Sequence, residues 1–409
     1  MLTIAKRGWT QKKLDELGFV GRGKSRHRPR NEPSLYDGPY PFIQTAEIVA
    51  ADCYITEHIQ TYSDKGLAQS KMWEPDTVCI SIAGENTGAT AILKFRACFP
   101  DSVIGFIADR EKADVHFVKH ALDFMKSQIR TVTKGATQDN LSVEKLLSFP
   151  ILTPPLPVQQ KIAGVLASYD ELIENNTQRI KILEQMAQAL YRQWFVRPCQ
   201  SGKLPRGWEE KKVTDAVCVN PPTPVPRDTE KPHVPMDSLS TTSMLIGDYG
   251  IRTGNNGSKF RNGDTLFARI TPCLENGKTA FVQFLPSDSD VAIGSTEFIV
   301  LRSQTLCPEY VYLMARSDAF RDNAIKSMSG ATGRQRVQEK CFEKFTIAQP
   351  DAGKLEEFVD CVRPMFRLVH SLAQKNANLR RTRDLLLPKL ISGEVDVSKL
   401  EIETGTCVA

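Results

Sequence analysis

The feature that most restricts the fold is a heptad pattern that runs through residues 157–196. Apolar or small side chains recur in steps of three and four at Ile162, Leu166, Tyr169, Ile173, Ile180, Leu183, Ala187, Leu190 and Trp194, and Asn176 fills the one gap. This spacing predicts a long α-helix with a narrow stripe that packs on a partner helix. At a rise of ~1.5 Å per residue the helix would be roughly 58 Å long, which is more than a small domain requires.

The chain also contains a duplication. Four segments recur in the same order: residues 8–14 and 207–213, 75–82 and 263–270, 87–92 and 276–281, and 134–137 and 329–332. The offset is about 195 residues, far longer than the period of a solenoid repeat. The duplication therefore predicts one large unit present twice.

A second long helix is expected after the second copy, and residues 354–391 carry a second heptad seam. Its positions are Leu355, Phe358, Val362, Met365, Val369, Leu372, Asn376, Leu379, Arg383, Leu386 and Leu390. Pro364 lies inside the seam and should kink or delay the helix, because proline cannot donate a backbone hydrogen bond. Gly393 is a suitable stop, and the tail after Leu400 is predicted to be unstructured.

Each copy contains short β-type runs, turns and a helix, predicted over residues 114–130 and 308–327. The predicted fold class is α+β with mainly antiparallel sheets: two pseudo-symmetric domains separated by two long antiparallel helices that form a coiled-coil spacer. The predicted boundaries are 1–155 and 198–350 for the domains, 156–197 and 351–393 for the helices, and 394–409 for the tail. Antiparallel pairing places Asn176 opposite Asn376, where a hydrogen bond would fix the register. The alternative is that each asparagine faces solvent at a local bend.

Composition favours a cytoplasmic protein. The hydrophobic fraction of 41% and the charged fraction of 25% are ordinary for a soluble chain. The ten cysteines include no CxxC pair, which disfavours a zinc ribbon and indicates reduced thiols. The sequence shows no signal peptide and no apolar run long enough to cross a membrane.

Two similar domains on a fixed spacer suit a ligand with a repeating structure, and duplex DNA is such a ligand. Residues 21–30 hold five cations and no acid, a composition that suits phosphate binding, and the alternative is a solvated surface loop. The candidate DNA-contacting residues are Arg22, Lys24, Arg26, Arg28, Arg30, Lys94, Lys134 and Gln138 in the first copy, and Arg252, Lys259, Arg261, Arg269, Lys278, Arg334 and Arg336 in the second.

These features resemble the DNA-specificity subunit of type I restriction–modification systems, over nearly the whole chain. The matching segments are Gly-Arg-Gly-Lys-Ser (21–25), Tyr-Pro-Phe-Ile-Gln-Thr (40–45), Gly-Ala-Thr-Gln (135–138), Pro-Leu-Pro-Val-Gln-Gln-Lys-Ile (155–162) and Leu-Tyr-Arg-Gln-Trp-Phe (190–195). The segment at 155–162 is the most specific of these, and the second copy, at 350–355, lacks its Gln-Gln pair.

The resemblance implies two target-recognition domains that read the halves of a bipartite, asymmetric double-stranded DNA site across a gap set by the helices. It also implies two methylation subunits that bind S-adenosylmethionine and modify adenine, and optional restriction subunits that use ATP and Mg²⁺. This chain would then be no enzyme and would bind no cofactor or metal. The alternatives are a P-loop nucleotide-binding enzyme, a subunit of a complex that only methylates, and a coiled-coil adaptor that does not read DNA.

Three motifs could indicate chemistry in this chain, but each lacks its required context. Residues 18–25 fit the P-loop string, yet Pro29 and Pro33 prevent the helix that must follow. Residues 220–223, Asn-Pro-Pro-Thr, lack the aromatic residue of the adenine methyltransferase turn. His116 and His120 have the i, i+4 spacing of zinc helices but no third ligand in the sequence nearby.

Overall fold

A computed structural model of the chain describes residues 8–133, 141–200, 202–331 and 333–398. Helices and sheets are mixed, as predicted, and the fold consists of two compact units. Unit 1 comprises the described residues up to Asn175 and those from Ala377 onward, and unit 2 comprises Asn176–Asn376. Each unit therefore contains one part of each long helix.

Unit 1 is built from short strands around one amphipathic helix. Its strands are β1 (Thr10–Lys12), β2 (Gly18–Arg22), β3 (Tyr36–Phe42), β4 (Tyr54–Ile55), β5 (Gln60–Tyr62), β6 (Met72–Trp73), β7 (Val78–Ser81), β8 (Thr90–Leu93), β9 (Ala97–Cys98), β10 (Val103–Ala108) and β11 (Ile151–Thr153). Its helices are α1 (Leu14–Leu17), α2 (Thr45–Ala50), α3 (Asp64–Ala68), α4 (Val115–Thr133), α5 (Val143–Leu147), the first part of α6 (Leu156–Tyr191) and the last part of α10 (Ala352–Ile391). Helix α4 buries Phe117, Ala121 and Met125 against Ile80 and Phe106 of the central sheet.

Unit 2 repeats this plan. Its strands are β12 (Glu209–Lys212), β13 (Val217–Val219), β14 (Lys231–Val234), β15 (Gly250–Arg252), β16 (Ser258–Phe260), β17 (Thr265–Ala268), β18 (Thr279–Phe281), β19 (Ala292–Gly294), β20 (Phe298–Ser303) and β21 (Thr346–Gln349). Its helices are the end of α6, α7 (Val213–Ala216), α8 (Pro308–Ala315), α9 (Asp318–Lys326) and most of α10 (Ala352–Ile391).

The sheets of the two units match strand for strand. In unit 1 the sheet orders are β1-β11, β2-β10-β7-β8-β4 and β5-β3-β9-β6. In unit 2 they are β12-β21, β13-β20-β17-β18 and β15-β14-β19-β16, which differ only in the lack of a strand equivalent to β4. The pairs β3–β9 and β14–β19 are both parallel, and most other pairs are antiparallel. The sequence repeat is therefore a repeat of one topology.

In unit 1 the long helices pack on each other and on the globular core. Ile162 and Leu166 of α6 share a hydrophobic core with Leu390 and Ile391 of α10. The two helices are antiparallel there, because Lys161 Nζ donates to the Ser398 carbonyl while Asp170, farther along α6, pairs with Arg383. The Gln159 side chain anchors α6, because it accepts a hydrogen bond from the Asp114 N–H at 3.1 Å and donates to the Lys112 and Pro154 carbonyls. The first glutamine of the Gln-Gln motif thus joins the helix to its domain.

In unit 2 the helices are antiparallel as well, with Trp194 of the segment that follows α6 against Phe358 of α10. The Asn176 amide donates to Asn376 Oδ1 at 2.9 Å, and the Asn376 amide donates to Thr177 Oγ1 at 3.1 Å. Asn376 is 2% exposed. The two asparagines therefore face each other across the helix pair and do not point separately into solvent.

The structure corrects three predictions. Residues 308–327 form two helices, because the Ser317 side chain caps α9 by accepting a hydrogen bond from the Phe320 N–H. Helix α10 is not delayed by Pro364: it begins at Ala352 and continues to Ile391, since Val362 and Phe366 on either side of the proline are buried in the core. Helix α6 ends at Tyr191 and continues as a π-helical turn, Arg192–Val196.

The heptad seam also differs from the predicted one. Asp170, Glu184, Tyr191 and Phe195 are buried on α6 and the turn that follows it, next to predicted positions that are only half-buried. Two of these buried side chains are carboxylates, which a search for apolar residues cannot find.

Candidate DNA interface

The basic loop of unit 1 follows strand β2 and is fixed to the strand region opposite it. The Gly23 N–H donates to the Val103 carbonyl and the Lys24 N–H to the Phe99 carbonyl. Asp101 lies within this arrangement, with Arg30 Nη2 at 2.7 Å and Arg28 Nη2 at 3.8 Å. The fold therefore places an acidic residue, Asp101, beside residues 21–30, which include no acidic residue of their own.

Because Asp101 offsets part of the positive charge, the cations of the loop are not equivalent. Arg22 also donates to the Asp101 backbone carbonyl. Lys24 and Arg26 are exposed, and no acidic partner for them exists among the described residues. These two side chains are the best placed in the loop to meet a phosphate.

Lys71, which the sequence did not indicate, extends this basic surface. Its ammonium lies 3.7 Å from the ring centroid of Trp73 and 4.6 Å from that of Phe19. Burial, and then the nearby Lys24 charge, lower the pKa of Lys71. Phe19 is 53% exposed, so an aromatic face and cations occur together at the surface, as in many nucleic-acid sites.

The other predicted residues of unit 1 do not join this group. Lys94 lies 4.0 Å from Asp76 and over the Tyr54 ring, so it has neighbours of its own. Lys134 and Gln138 lie outside the described residues.

In unit 2 the predicted cations fall into two classes. Arg269, Lys278 and Arg336 are paired with Glu339, Asp237 and Glu297 at 3.2, 3.5 and 2.7 Å. The hydrogen bond from Arg336 lowers the pKa of Glu297, which keeps that acid ionised. Arg252, Lys259, Arg261 and Arg334 have no acidic partner in the part of unit 2 that the structure describes. These four are the cations most available to DNA.

The methyltransferase-like turn has a structural role. The Asn220 N–H donates to the Val300 carbonyl, and Asn220 Oδ1 accepts from the Val300 N–H at 2.9 Å. Thr223 Oγ1 accepts from Arg302, which also pairs with buried Asp264. The turn uses these polar atoms to hold β20, so they are not available to a target base.

The P-loop string is also used structurally. Residues Gly18–Arg22 form β2, an antiparallel partner of β10, and residues 23–30 form no helix. A P-loop requires a helix whose N-terminus holds phosphate directly after the loop. The string in this chain lacks that arrangement.

The two histidines of α4 have different partners. His116 Nε2 is 3.1 Å from the Tyr54 hydroxyl, whereas His120 Nε2 is 2.8 Å from Asp170 Oδ2. Cys53, His120 and Asp170 do place ligand atoms within 4.8 Å of one another. The cluster is a poor metal site, because Arg383 already binds Asp170 at 2.6 Å and burial raises the pKa of the Cys53 thiol, which stays protonated. It is better described as a buried charge network.

Among the helices that the structure describes, none is both long and apolar enough to cross a membrane.

The family comparison matches the first half of the chain. Residues 6–185 fit the family model of the type I restriction modification DNA specificity domain. The chain is also similar to the specificity subunit of type I restriction enzyme MjaIX from Methanocaldococcus jannaschii, with 23% identity over 434 aligned residues that cover 96% of this chain and 94% of that one. The specificity subunit of type I restriction enzyme EcoAI from Escherichia coli is 28% identical over 206 residues, which cover 49% of this chain and 35% of that one.

A solved structure has a similar fold. The S subunit of a type I restriction–modification system from M. genitalium aligns with a TM-score of 0.57 and 14% identity, covering 95% of this chain and 98% of that one. At this identity the likeness shows the fold alone. Residues 6–185 thus match a type I restriction modification DNA specificity domain, and along 96% of its length the chain is similar to the specificity subunit of a type I restriction enzyme.

Proposed function

We propose that this chain is a non-catalytic subunit that reads a bipartite, asymmetric DNA site, one half with each unit. The observation that carries the proposal is one topology that occurs twice with different surface residues. Related folds with different surfaces would bind DNA in similar ways and select different bases, because base contacts rather than phosphate contacts carry sequence information.

In this proposal residues 1–155 and 198–350 are the target-recognition domains, and residues 394–409 are a tail. The helices at 156–197 and 351–393 pair as an antiparallel coiled coil and set the gap between the half-sites. The Asn176–Asn376 hydrogen bond supports a fixed register, since a buried polar pair is satisfied only when its members are opposite each other.

The first contacts with DNA would be electrostatic. Lys24, Arg26 and Lys71 in unit 1 would neutralise phosphates, as would Arg252 and Lys259 in unit 2. Each phosphate contact releases condensed counterions, so the logarithm of affinity should fall linearly with the logarithm of salt concentration. The cations that already have acidic partners should contribute less to this slope.

We also propose the partners that the similarity to these specificity subunits indicates. The relatives are named as specificity subunits of type I restriction enzymes. Two methylation subunits that bind S-adenosylmethionine and modify adenine would then act beside this chain, and restriction subunits that use ATP and Mg²⁺ could join them. This chain would supply the DNA sequence selection and bind none of these cofactors.

Mapping of methylated adenine in cells with and without the gene tests the proposal. The expected result is a split, asymmetric motif that disappears on deletion and returns when the gene is restored. An unchanged methylome, with the methylation subunits present and active, would refute it. Cleavage of unmodified DNA by the purified complex then separates a restriction complex from one that only methylates.

A further inference from the structure

Unit 2 contains a second basic stretch that joins β15 and β16, two strands that follow each other in the chain and lie at opposite edges of one sheet. Residues 249–261 include Arg252, Lys259 and Arg261 and no acid. All three residues of β15, one of the two edge strands of this sheet, are exposed, and Ile251 is 58% exposed. An exposed edge with cations and an apolar side chain is well suited to contact a DNA groove.

The loop between β15 and β16 is held firmly at its first glycine. The Gly254 N–H donates to the Arg227 carbonyl at 2.8 Å, and the Gly254 carbonyl accepts from Lys231 Nζ at 2.8 Å. Lys231 is 4% exposed and also donates to the Thr229 carbonyl, so it acts as a buried clamp.

The loop is held equally well at its second glycine. Gly257 has a φ of +100°, and a Cβ atom there would lie 2.0 Å from the Gly294 carbonyl oxygen of β19. Ser258, the next residue, donates to the Phe298 carbonyl at 2.9 Å. Only glycine fits position 257, because any Cβ there would collide with β19, and the Ser258 hydrogen bond holds the loop at this end.

Between these anchors lie Asn255 and Asn256. Within the described residues their amide groups make no hydrogen bond, and Asn256 is exposed. Two other asparagines of unit 2 behave differently: Asn220 binds the Val300 N–H, and Asn262 binds both the N–H and the carbonyl of Leu285. The loop therefore presents two uncommitted carboxamides on a rigid support.

We propose that this loop, residues 254–257, reads bases in the half-site bound by unit 2, an inference that rests on the proposed DNA-reading function. A carboxamide can accept from N6 and donate to N7 of adenine at the same time, which distinguishes adenine from the other bases in the major groove. Arg252 and Lys259 on the flanking strands would bind phosphates and set how deeply the loop enters the major groove.

The test uses the full chain together with its methylation subunits, after the wild-type motif has been mapped. Asn255→Ala and Asn256→Ala are made singly and together, and a serine pair at the same positions provides a second form of the test. Asn378→Ala, an exposed asparagine on α10, is the matched control. Thermal melting checks each variant, and no loss of Tm is expected because neither side chain supports the fold.

The expected result is a roughly tenfold to hundredfold loss of discrimination at one or two positions of a single half-site. The other half-site and the gap stay as in the wild type, and the control keeps the full motif. An unaltered motif in the double variant would overturn the inference, as would equal relaxation of both half-sites. If the wild-type complex is active but yields no split motif, the proposed function itself fails, and that result is distinguishable from failure of the loop alone.

Discussion

The buried carboxylate of Asp170 allows a quantitative test of how the long helices are held in unit 1. Its Oδ1 accepts from Arg383 Nη1 at 2.6 Å, and its Oδ2 lies 2.8 Å from His120 Nε2. The Asp170 side chain is 0% exposed and that of Arg383 is 12% exposed. Burial acts to raise the pKa of Asp170, but the His120 and Arg383 hydrogen bonds and the Lys119 charge lower it below its ordinary value. The carboxylate is therefore ionised near neutral pH.

Asp170→Asn keeps the shape but leaves one acceptor oxygen for two donors. Either His120 or Arg383 would then face the new NH₂ group, and the Arg383 charge would lose its buried partner and keep only the exposed Asp384 carboxylate, at 3.1 Å. Removing one member of a buried ion pair costs about 3–5 kcal/mol. Because one acceptor survives, we expect a loss of about 3 kcal/mol in the opening free energy of unit 1, equivalent to more than a hundredfold rise in its open population.

Hydrogen exchange measures this loss unit by unit, which is needed because a chain with two units need not unfold in one step. Amides of α4 should exchange faster in Asp170→Asn, while those of α8 keep their wild-type rates. Glu171→Gln, at the exposed neighbouring position, should change the opening free energy by less than about 0.5 kcal/mol.

A double replacement isolates the contribution of the Asp170–Arg383 ion pair to stability. Asp170→Leu combined with Arg383→Met should restore much of the stability that either change removes, because no charge is left buried alone. The reasoning would be refuted by a loss below about 0.5 kcal/mol in Asp170→Asn, or by equal losses in both units.

Three further predictions follow from the same contacts. Burial, and then the Lys119 charge, lower the pKa of His120 from 6.5, so the folded state binds fewer protons at this residue than the unfolded state does. The stability of unit 1 should therefore fall as pH drops below 6.5 and level off above it. Urea titrations should show that the stability of His120→Gln depends less on pH. Asn176→Val removes the donor to buried Asn376 Oδ1 and should lower the opening free energy of unit 2, measured by hydrogen exchange, by about 1–3 kcal/mol. Adding Asn376→Val should recover most of that loss, and additive losses in the double variant would contradict the pairing. Four residues inserted after both Asn175 and Asn376 keep the polar pairs aligned and lengthen each helix by about 6 Å, so methylome mapping should show a gap about two base pairs longer with unchanged half-sites; a changed half-site would contradict the spacer proposal.

Sequence periodicity was sufficient to predict the long helices and the duplicated domain. Both are local or repetitive features, so they can be recognised without knowledge of tertiary contacts. The buried carboxylates Asp170 and Glu184 could not be predicted, because their partners are remote: Arg383 for the first, and Ser243 and the Met244 N–H for the second. The apolar seam was therefore displaced by one residue at these positions.

The candidate interface also combines features that the sequence predicts with features that only tertiary contacts reveal. A run of cations identified the loop at residues 21–30, but only the fold shows that Asp101 neutralises part of it and that Lys71 lies beside it. In unit 2 the sequence gives Asn255 and Asn256 no distinction from other asparagines. They stand out only in the structure, because their loop is held by Arg227, Lys231 and β19, and these contacts join segments that are far apart in the chain.

Unit 1 is discontinuous along the chain, and this has a consequence for biosynthesis. Leu390, Ile391 and Val397 complete the core that Ile162 and Leu166 begin, yet a ribosome makes them only after all of unit 2. Unit 2 can fold as soon as its own continuous segment has emerged, whereas unit 1 must wait with an uncovered apolar face. An interrupted chain would thus yield one finished unit and one unfinished unit, which chaperones and proteases can recognise and remove before a defective DNA reader accumulates.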